Sequence, residues 1–129
     1  MTLSSDILRN NRTFAVVGVS QDTSKYGYQI FRALLKKGYR VYPLNPKYVS
    51  VDWERCYPSL DDLPEVPQVV VPVVPPAVTE QVVESCVRLG IRTVWMPPGA
   101  WSKEAVAMCD THNIEEVHDV CLLEALRSM

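Results

Sequence analysis

Two places in the chain combine residue types that bind phosphate. The first is a turn that ends the apolar run of residues 14–18 and leads into a segment with helical periodicity; its candidate cofactor-binding residues are Gly18, Val19, Ser20, Lys25 and Tyr26. A glycine turn that leads into a helix binds phosphate through backbone amides and the positive end of the helix dipole. The second place follows the apolar run of residues 40–44, where the chain continues as Asn45, Pro46 and Lys47.

The residues at the end of the second strand indicate which nucleotide fits. A domain that binds NAD places Asp or Glu there, because a carboxylate accepts hydrogen bonds from the ribose hydroxyls. This chain has Asn45-Pro46-Lys47 instead, so an acid is absent and a base is present. Lysine offers a point charge to phosphate. The pattern favours a ligand with a phosphorylated ribose, which means coenzyme A with its 3′-phosphate or, second, NADP with its 2′-phosphate.

Short apolar runs alternate with helical segments along the chain. The expected strands cover residues 14–18, 40–44, a short edge piece near Cys56, 68–74, 92–96 and 114–117. The expected helices cover residues 26–37, 77–89, 102–112 and 120–126, and residues 1–12 form an N-terminal helix or extension. Such alternation predicts a parallel sheet with right-handed crossovers. We expect an α/β, three-layer, Rossmann-like fold of five to six strands in the order 3-2-1-4-5-6.

The strand order places the ligand. In an open parallel sheet the ligand lies outside the carboxyl ends of the strands, where the strand order reverses. That point falls between the strand ending at Gly18 and the strand ending near Val74. The loop of Val74, Pro75 and Pro76 is therefore expected beside the turn at Gly18. Pro72 is placed near the carboxyl end of its strand, because proline has no N–H for the ladder.

Length and composition exclude several classes of protein. The 129 residues, 47% of them hydrophobic and 22% charged, fit one globular domain over residues 1–129. A net charge of -2 with scattered lysines argues against nucleic acid as a partner. No run reaches membrane-spanning length and no signal peptide is recognisable, so a cytoplasmic protein is expected. Cys56, Cys86, Cys109 and Cys121 form no C-x-x-C pair, so we expect neither a metal site nor disulfides.

Several segments also carry a family resemblance. They are residues 17–20 (VGVS), 25–26 (KY), 38–47 (GYRVYPLNPK), 57–60 (YPSL), 75–79 (PPAVT) and 90–95 (GIRTVW). These segments resemble the small stand-alone CoA-binding proteins, which are similar to the N-terminal CoA-binding domain of the succinyl-CoA synthetase alpha subunit. The resemblance covers nearly the whole chain after residue 12. Its most specific part is Asn-Pro-Lys followed by Tyr-Pro-Ser-Leu.

The resemblance implies that coenzyme A or acyl-CoA is bound in extended form. Its phosphates would lie over residues 18–20 with Lys25 and Lys47 nearby, its adenosine towards Asn45-Pro46, and the rest along the loop of residues 74–76. The synthetase's catalytic phosphohistidine belongs to a second domain outside the resemblance, so ligase chemistry is not implied. The chain departs from the family at Pro97, where relatives often have glutamine, and at Pro72, an often polar position.

Three functions remain open from the sequence. The first is a non-catalytic module that binds CoA or acyl-CoA as a carrier, a sensor or a regulatory unit. The second is an NADP-binding or acyl-transfer enzyme, for which Cys121 and the pair His118-Asp119 are the available groups. The third is an interaction protein with a vestigial nucleotide pocket. The first is preferred because no catalytic constellation is recognisable, and a protein partner or homo-oligomer is compatible with it.

Overall fold

The computed structural model describes residues 2–129. Its helices are α1 (Leu3–Asn10), α2 (Tyr26–Lys36), α3 (Pro76–Leu89), α4 (Lys103–Thr111) and α5 (Leu122–Arg127). Its strands are β1 (Thr13–Val17), β2 (Arg40–Leu44), β3 (Ser50–Val51), β4 (Glu54–Arg55), β5 (Val69–Pro72), β6 (Thr93–Met96) and β7 (Glu115–His118). Five strands form a parallel sheet in the order β2-β1-β5-β6-β7, and β3 and β4 form a separate antiparallel hairpin.

The sheet is covered on both faces, which confirms the three-layer α/β fold. Side chains alternate along β1, so Phe14 and Val16 pack on the face covered by α1, α2 and α5, whereas Ala15 packs on the face covered by α3 and α4. Two apolar cores result, one on each side of the sheet. Strands buried on both faces are the reason that the sequence shows continuous apolar runs rather than alternation.

The predicted strand order is wrong at one edge of the sheet. Instead of 3-2-1-4-5-6, the piece near Cys56 contributes a single parallel bridge between Tyr57 and Leu44, so the sheet has five strands. Residues 54–55 are already paired with residues 50–51 in the hairpin, and Pro58 has no N–H to extend the ladder. The sheet order still reverses between β1 and β5, where it was expected.

Proline and cap residues set several element boundaries. Pro72 is the last residue of β5, opposite Val17, so it lies at the carboxyl end of the strand as predicted. Helix α1 occupies the expected N-terminal segment, and a capping box between Thr2 and Ser5 begins it. Within residues 2–129, no helix is both long enough and apolar enough to cross a membrane.

Gly18 should be required for stability. Its φ is +94°, and a Cβ at this position would lie 2.3 Å from the Val73 carbonyl oxygen. Gly38 is the matched control, because its φ is +95° but a Cβ there would have no neighbour within 4 Å. We expect Gly38→Ala to cost about 1–2 kcal/mol for the left-handed backbone. Gly18→Ala should cost about 1–3 kcal/mol more for the clash.

Urea unfolding of the two variants measures this difference in the free energy of unfolding. Equal losses for Gly18→Ala and Gly38→Ala would contradict the close approach of Val73 to the turn.

Candidate functional site

A cleft of about 370 Å³ opens at the carboxyl ends of β1 and β2. Its walls are Gly18, Ser20, Lys25, Tyr26, Gly27, Asn45, Lys47, Tyr48 and Val73. Six of these are residues that the sequence singled out, so the turn after β1 and the end of β2 meet as the topology requires. Lys25 and Lys47 are the charged residues of the lining, and no carboxylate from residues 2–129 lines the cleft.

The turn after β1 is fixed to the end of β2 by its own amides. Gly18 N and Val19 N both donate to the Leu44 carbonyl oxygen, at 2.8 and 3.2 Å. The Val19 side chain is fully buried in the core. Gly18 and Val19 therefore fix the shape of the turn, and their amides are not the donors that the glycine pattern suggested.

Free amides are instead at the start of α2. Lys25 is the N-cap residue and its side chain makes no capping hydrogen bond. The amides of Tyr26 and Gly27, in the first turn, form no hydrogen bond within the part of the chain that the structure describes. The helix comes so close to the turn that a Cβ on Gly27 would lie 2.4 Å from Gly18 O. The positive end of the helix dipole thus faces the cleft, an arrangement that suits an anion.

The polar residues of the turn organise one another. Asp22 N donates to Ser20 Oγ at 2.9 Å, and both Ser24 N and Ser24 Oγ donate to Asp22 Oδ1. The bonds from Ser24 lower the pKa of Asp22, so this exposed carboxylate stays ionised. The Ser20 hydroxyl accepts one bond and keeps its own hydrogen to donate into the cleft.

Asn45 connects the turn to the end of β2. Its Nδ2 donates to the Val19 carbonyl oxygen at 2.9 Å, and its Oδ1 accepts from Lys47 N at 2.9 Å. Its backbone N also donates to Tyr57 O at 3.0 Å. An aspartate would have no donor for Val19 O. The asparagine is therefore needed to hold the turn and to direct the chain that carries Lys47 beside the cleft.

The remaining predicted residues lie around the cleft rather than in its walls. Pro46 is exposed beside Lys47, whereas Pro75 and Pro76 are exposed at the start of α3. Val74 packs beneath the turn, because its Cγ1 lies 2.9 Å from where a Cβ on Gly18 would be. The structure thus groups the loop of residues 74–76 with the turn but does not place it in the lining.

Three lining residues were not among the predicted ones. Gly27 could have been found, because glycine in the first turn of a helix is a poor helix former and indicates close packing of backbone. Tyr48 follows the predicted strand of residues 40–44, and Val73 lies near the carboxyl end of the predicted strand of residues 68–74. No local pattern distinguishes them from ordinary loop residues.

Cys121 contacts the cleft through Tyr26. The Tyr26 hydroxyl donates to Cys121 Sγ at 3.2 Å, and burial together with this bond raises the pKa of Tyr26 above its usual range. Cys86 and Cys109 are different, because burial raises the pKa of each thiol to about 12, which leaves them protonated at neutral pH. Cys121 is half-buried, whereas Cys56, Cys86 and Cys109 are buried.

His118 pairs with Glu116 rather than with its neighbour Asp119. The distance from His118 Nδ1 to Glu116 Oε1 is 2.8 Å, and the imidazole packs on the Trp101 ring with 4.8 Å between centroids. Within residues 2–129, His118 forms no hydrogen bond with a serine, threonine or cysteine. Trp95 is fully buried, and its Nε1 donates to Val120 O.

The described residues hold no cluster of three or more His, Cys, Asp or Glu side chains that could bind a metal ion.

Comparison with known proteins identifies the family. A family described as a CoA binding domain matches residues 12–127. The ADP-forming acetate–CoA ligase of Methanocaldococcus jannaschii is 33% identical over 81 residues, which are 63% of this chain and 12% of the ligase. A hypothetical protein from Pyrococcus horikoshii OT3 has a similar structure, with a TM-score of 0.93 and 31% identity over 97% of this chain and 88% of that one.

A larger enzyme contains the same fold. The dinucleotide forming acetyl-coenzyme A synthetase 1 of Ca. Korarchaeum cryptofilum aligns with a TM-score of 0.77 and 29% identity, over 89% of this chain and 28% of that chain. The chain therefore matches a small part of these longer relatives but most of the small one. Since the family match extends over residues 12–127, this chain belongs to the family of CoA-binding domains.

Proposed function

We propose that this chain binds coenzyme A or an acyl-CoA without performing chemistry on it, as a carrier, a sensor or a regulatory module. One observation supports this most: Lys25, Lys47 and the first-turn amides of α2 open on one cleft, and none of the described residues places a carboxylate in its lining. Two of the named relatives are a ligase and a synthetase, in which the matching stretch is a small share of the chain. A binding module that works beside a protein partner fits that arrangement.

The positions of the cationic groups suggest how the ligand lies. In the proposed complex the diphosphate lies over the start of α2, where Ser20 and Lys25 lie beside the amides of the first turn. The 3′-phosphate lies at Lys47, on the chain that Asn45 directs. Because coenzyme A is longer than this cleft, its adenosine continues past Pro46 and its pantetheine past Val73.

The absence of catalysis is proposed from the state of the nucleophiles. Nucleophilic catalysis needs a side chain that is activated by a nearby base or by a lowered pKa. The buried Cys86 and Cys109 have raised pKa values, and the Cys121 sulfur accepts a bond from the Tyr26 hydroxyl. His118 is oriented by Glu116, but within residues 2–129 no nucleophile is bonded to it.

Coenzyme A should bind at least tenfold more tightly than NAD. The end of β2 carries Lys47 and no carboxylate, so it attracts a ribose phosphate and lacks the acid that accepts bonds from both ribose hydroxyls of NAD. Isothermal titration with CoA, acetyl-CoA, NADP and NAD measures the four affinities. Tighter binding of NADP than of CoA would favour the NADP-binding enzyme, and binding of none of the four would favour an interaction protein.

Lys47→Glu should lower the affinity for CoA by roughly one to two decades, because a charge-assisted hydrogen bond contributes about 1.5–3 kcal/mol to binding. Dephospho-CoA, which lacks the 3′-phosphate, should bind the wild type less tightly and lose little more on mutation. Isothermal titration of both ligands gives the comparison.

Lys103→Glu is the control for Lys47→Glu, since it makes the same change of charge at the exposed start of α4. This variant should change the affinity for either ligand little. The change should be smaller still at high salt, because salt screens exposed charges. If Lys47→Glu lowers the affinities for CoA and dephospho-CoA equally, Lys47 attracts the ligand only through its charge and does not contact the 3′-phosphate.

Acyl-CoA should be stable in the presence of the protein. A thiol-release assay with acetyl-CoA is expected to show no hydrolysis or transfer above background, because no activated nucleophile faces the cleft. Turnover that disappears in Cys121→Ser or in His118→Ala would instead make this chain an acyl-transfer enzyme.

A further inference from the structure

Trp53 occupies an unusual position at the tip of the β3–β4 hairpin. Its side chain is 99% exposed, although tryptophan is a large apolar residue. Asp52 and Trp53 form the two-residue turn, and their φ angles are 50° and 69°. Both residues of such a turn usually are Asn, Asp or Gly, because a left-handed backbone crowds a large side chain. Trp53 is thus unfavourable in this turn and does not contribute to the hydrophobic core.

The tip is attached firmly to its surroundings. Asp52 Oδ2 accepts a hydrogen bond of 2.6 Å from the Tyr28 hydroxyl and lies 3.6 Å from Arg32 Nε, and both partners are on α2. On the other side, Gln21 Nε2 donates to Ser50 O at 3.0 Å. The backbone that carries Trp53 is therefore fixed while its indole faces solvent, so little conformational entropy is lost when a ligand packs on it.

A second cavity lies beside the indole. It has a volume of about 330 Å³ and is lined by Gln21, Ser50, Val51, Asp52 and Trp53. The same two chain segments form both cavities: Ser20 and Tyr48 line the candidate cleft, and Gln21 and Ser50 line this outer cavity. The two cavities are therefore neighbours along the turn after β1 and the chain after β2.

We propose that the outer cavity binds the adenine base of coenzyme A, stacked on the indole of Trp53. This inference rests on the proposed function and adds the residue that holds the base. The face of an indole stacks on any purine, and in protein complexes with nucleic acid each such contact contributes measurably to affinity. Gln21 adds a hydrogen-bond acceptor. Its Oε1 accepts no bond within the described residues, so it can accept one from the exocyclic amino group of adenine.

The position of Lys47 is consistent with this placement. The 3′-phosphate proposed at Lys47 belongs to the ribose that carries the base, so the base must lie within one nucleoside of that lysine. The chain after β2 runs from Lys47 through Tyr48 to the hairpin, towards Trp53. Residues with an unfavourable backbone conformation, such as Trp53, are common at ligand-binding sites.

The test uses Trp53→Gly and Trp53→Phe in the full chain. Trp53→Gly should raise the midpoint of thermal unfolding by roughly 2–6 °C, because glycine tolerates the left-handed turn. The same variant should bind CoA and adenosine 3′,5′-bisphosphate roughly tenfold more weakly. Trp53→Phe keeps an aromatic face and should remain within about threefold of the wild type. Val49→Ala is the control, since Val49 is 85% exposed but lines neither cavity.

Tryptophan fluorescence gives an independent measure. Trp95 is fully buried and Trp101 is half-buried, so quenching of an exposed indole by CoA should disappear in Trp53→Phe. If the wild type binds CoA and Trp53→Gly binds it equally well, the stacking site is overturned, the proposed function stands, and Trp53 becomes a surface for protein contact. If the wild type binds no CoA, the proposed function and this inference both fall.

Discussion

The carbonyl oxygen of Leu44 is the centre of the contacts on which the site depends. It accepts hydrogen bonds from Gly18 N and Val19 N, and the next residue, Asn45, returns a bond to the Val19 carbonyl oxygen. Three hydrogen bonds therefore join the turn after β1 to the end of β2. Because the same turn leads into α2 and the same strand end leads to Lys47, this junction sets the distance between the helix dipole and the lysine. Any ligand that bridges the two depends on it.

Close backbone packing makes that junction possible. Gly18 has no room for a Cβ beside Val73 O, and Gly27 has none beside Gly18 O. The three segments that meet here come from β1, α2 and the end of β5, so the glycines bring three elements together at the point where the sheet order reverses. Pro72 ends β5 at the same level, where its missing N–H leaves no gap in the ladder. The two glycines that leave no room for a Cβ therefore both lie at the cleft.

The hairpin of β3 and β4 extends this framework outward. Its tip is anchored to α2 through Asp52, and its exposed Trp53 lies beyond the cleft. A sheet with one more full strand at this edge would have used residues 54–57 in the ladder. The single bridge at Tyr57 leaves the preceding residues free to form the hairpin instead.

The sequence by itself determined the class of fold, most element boundaries and the segments that line the candidate site. Buried parallel strands give continuous apolar runs and helices give a 3.6-residue period, so local patterns were sufficient to predict the elements. The order of the elements then predicted a reversal of the sheet order, which puts Gly18 and Lys47 at one edge of the sheet. Tertiary structure alone decided which amides are free: Gly18 N and Val19 N bond to Leu44 O, and the first turn of α2 remains open. It also reduced the strand near Cys56 to one bridge and exposed Trp53. These features depend on contacts between residues that are distant in sequence, so no local sequence pattern indicates them.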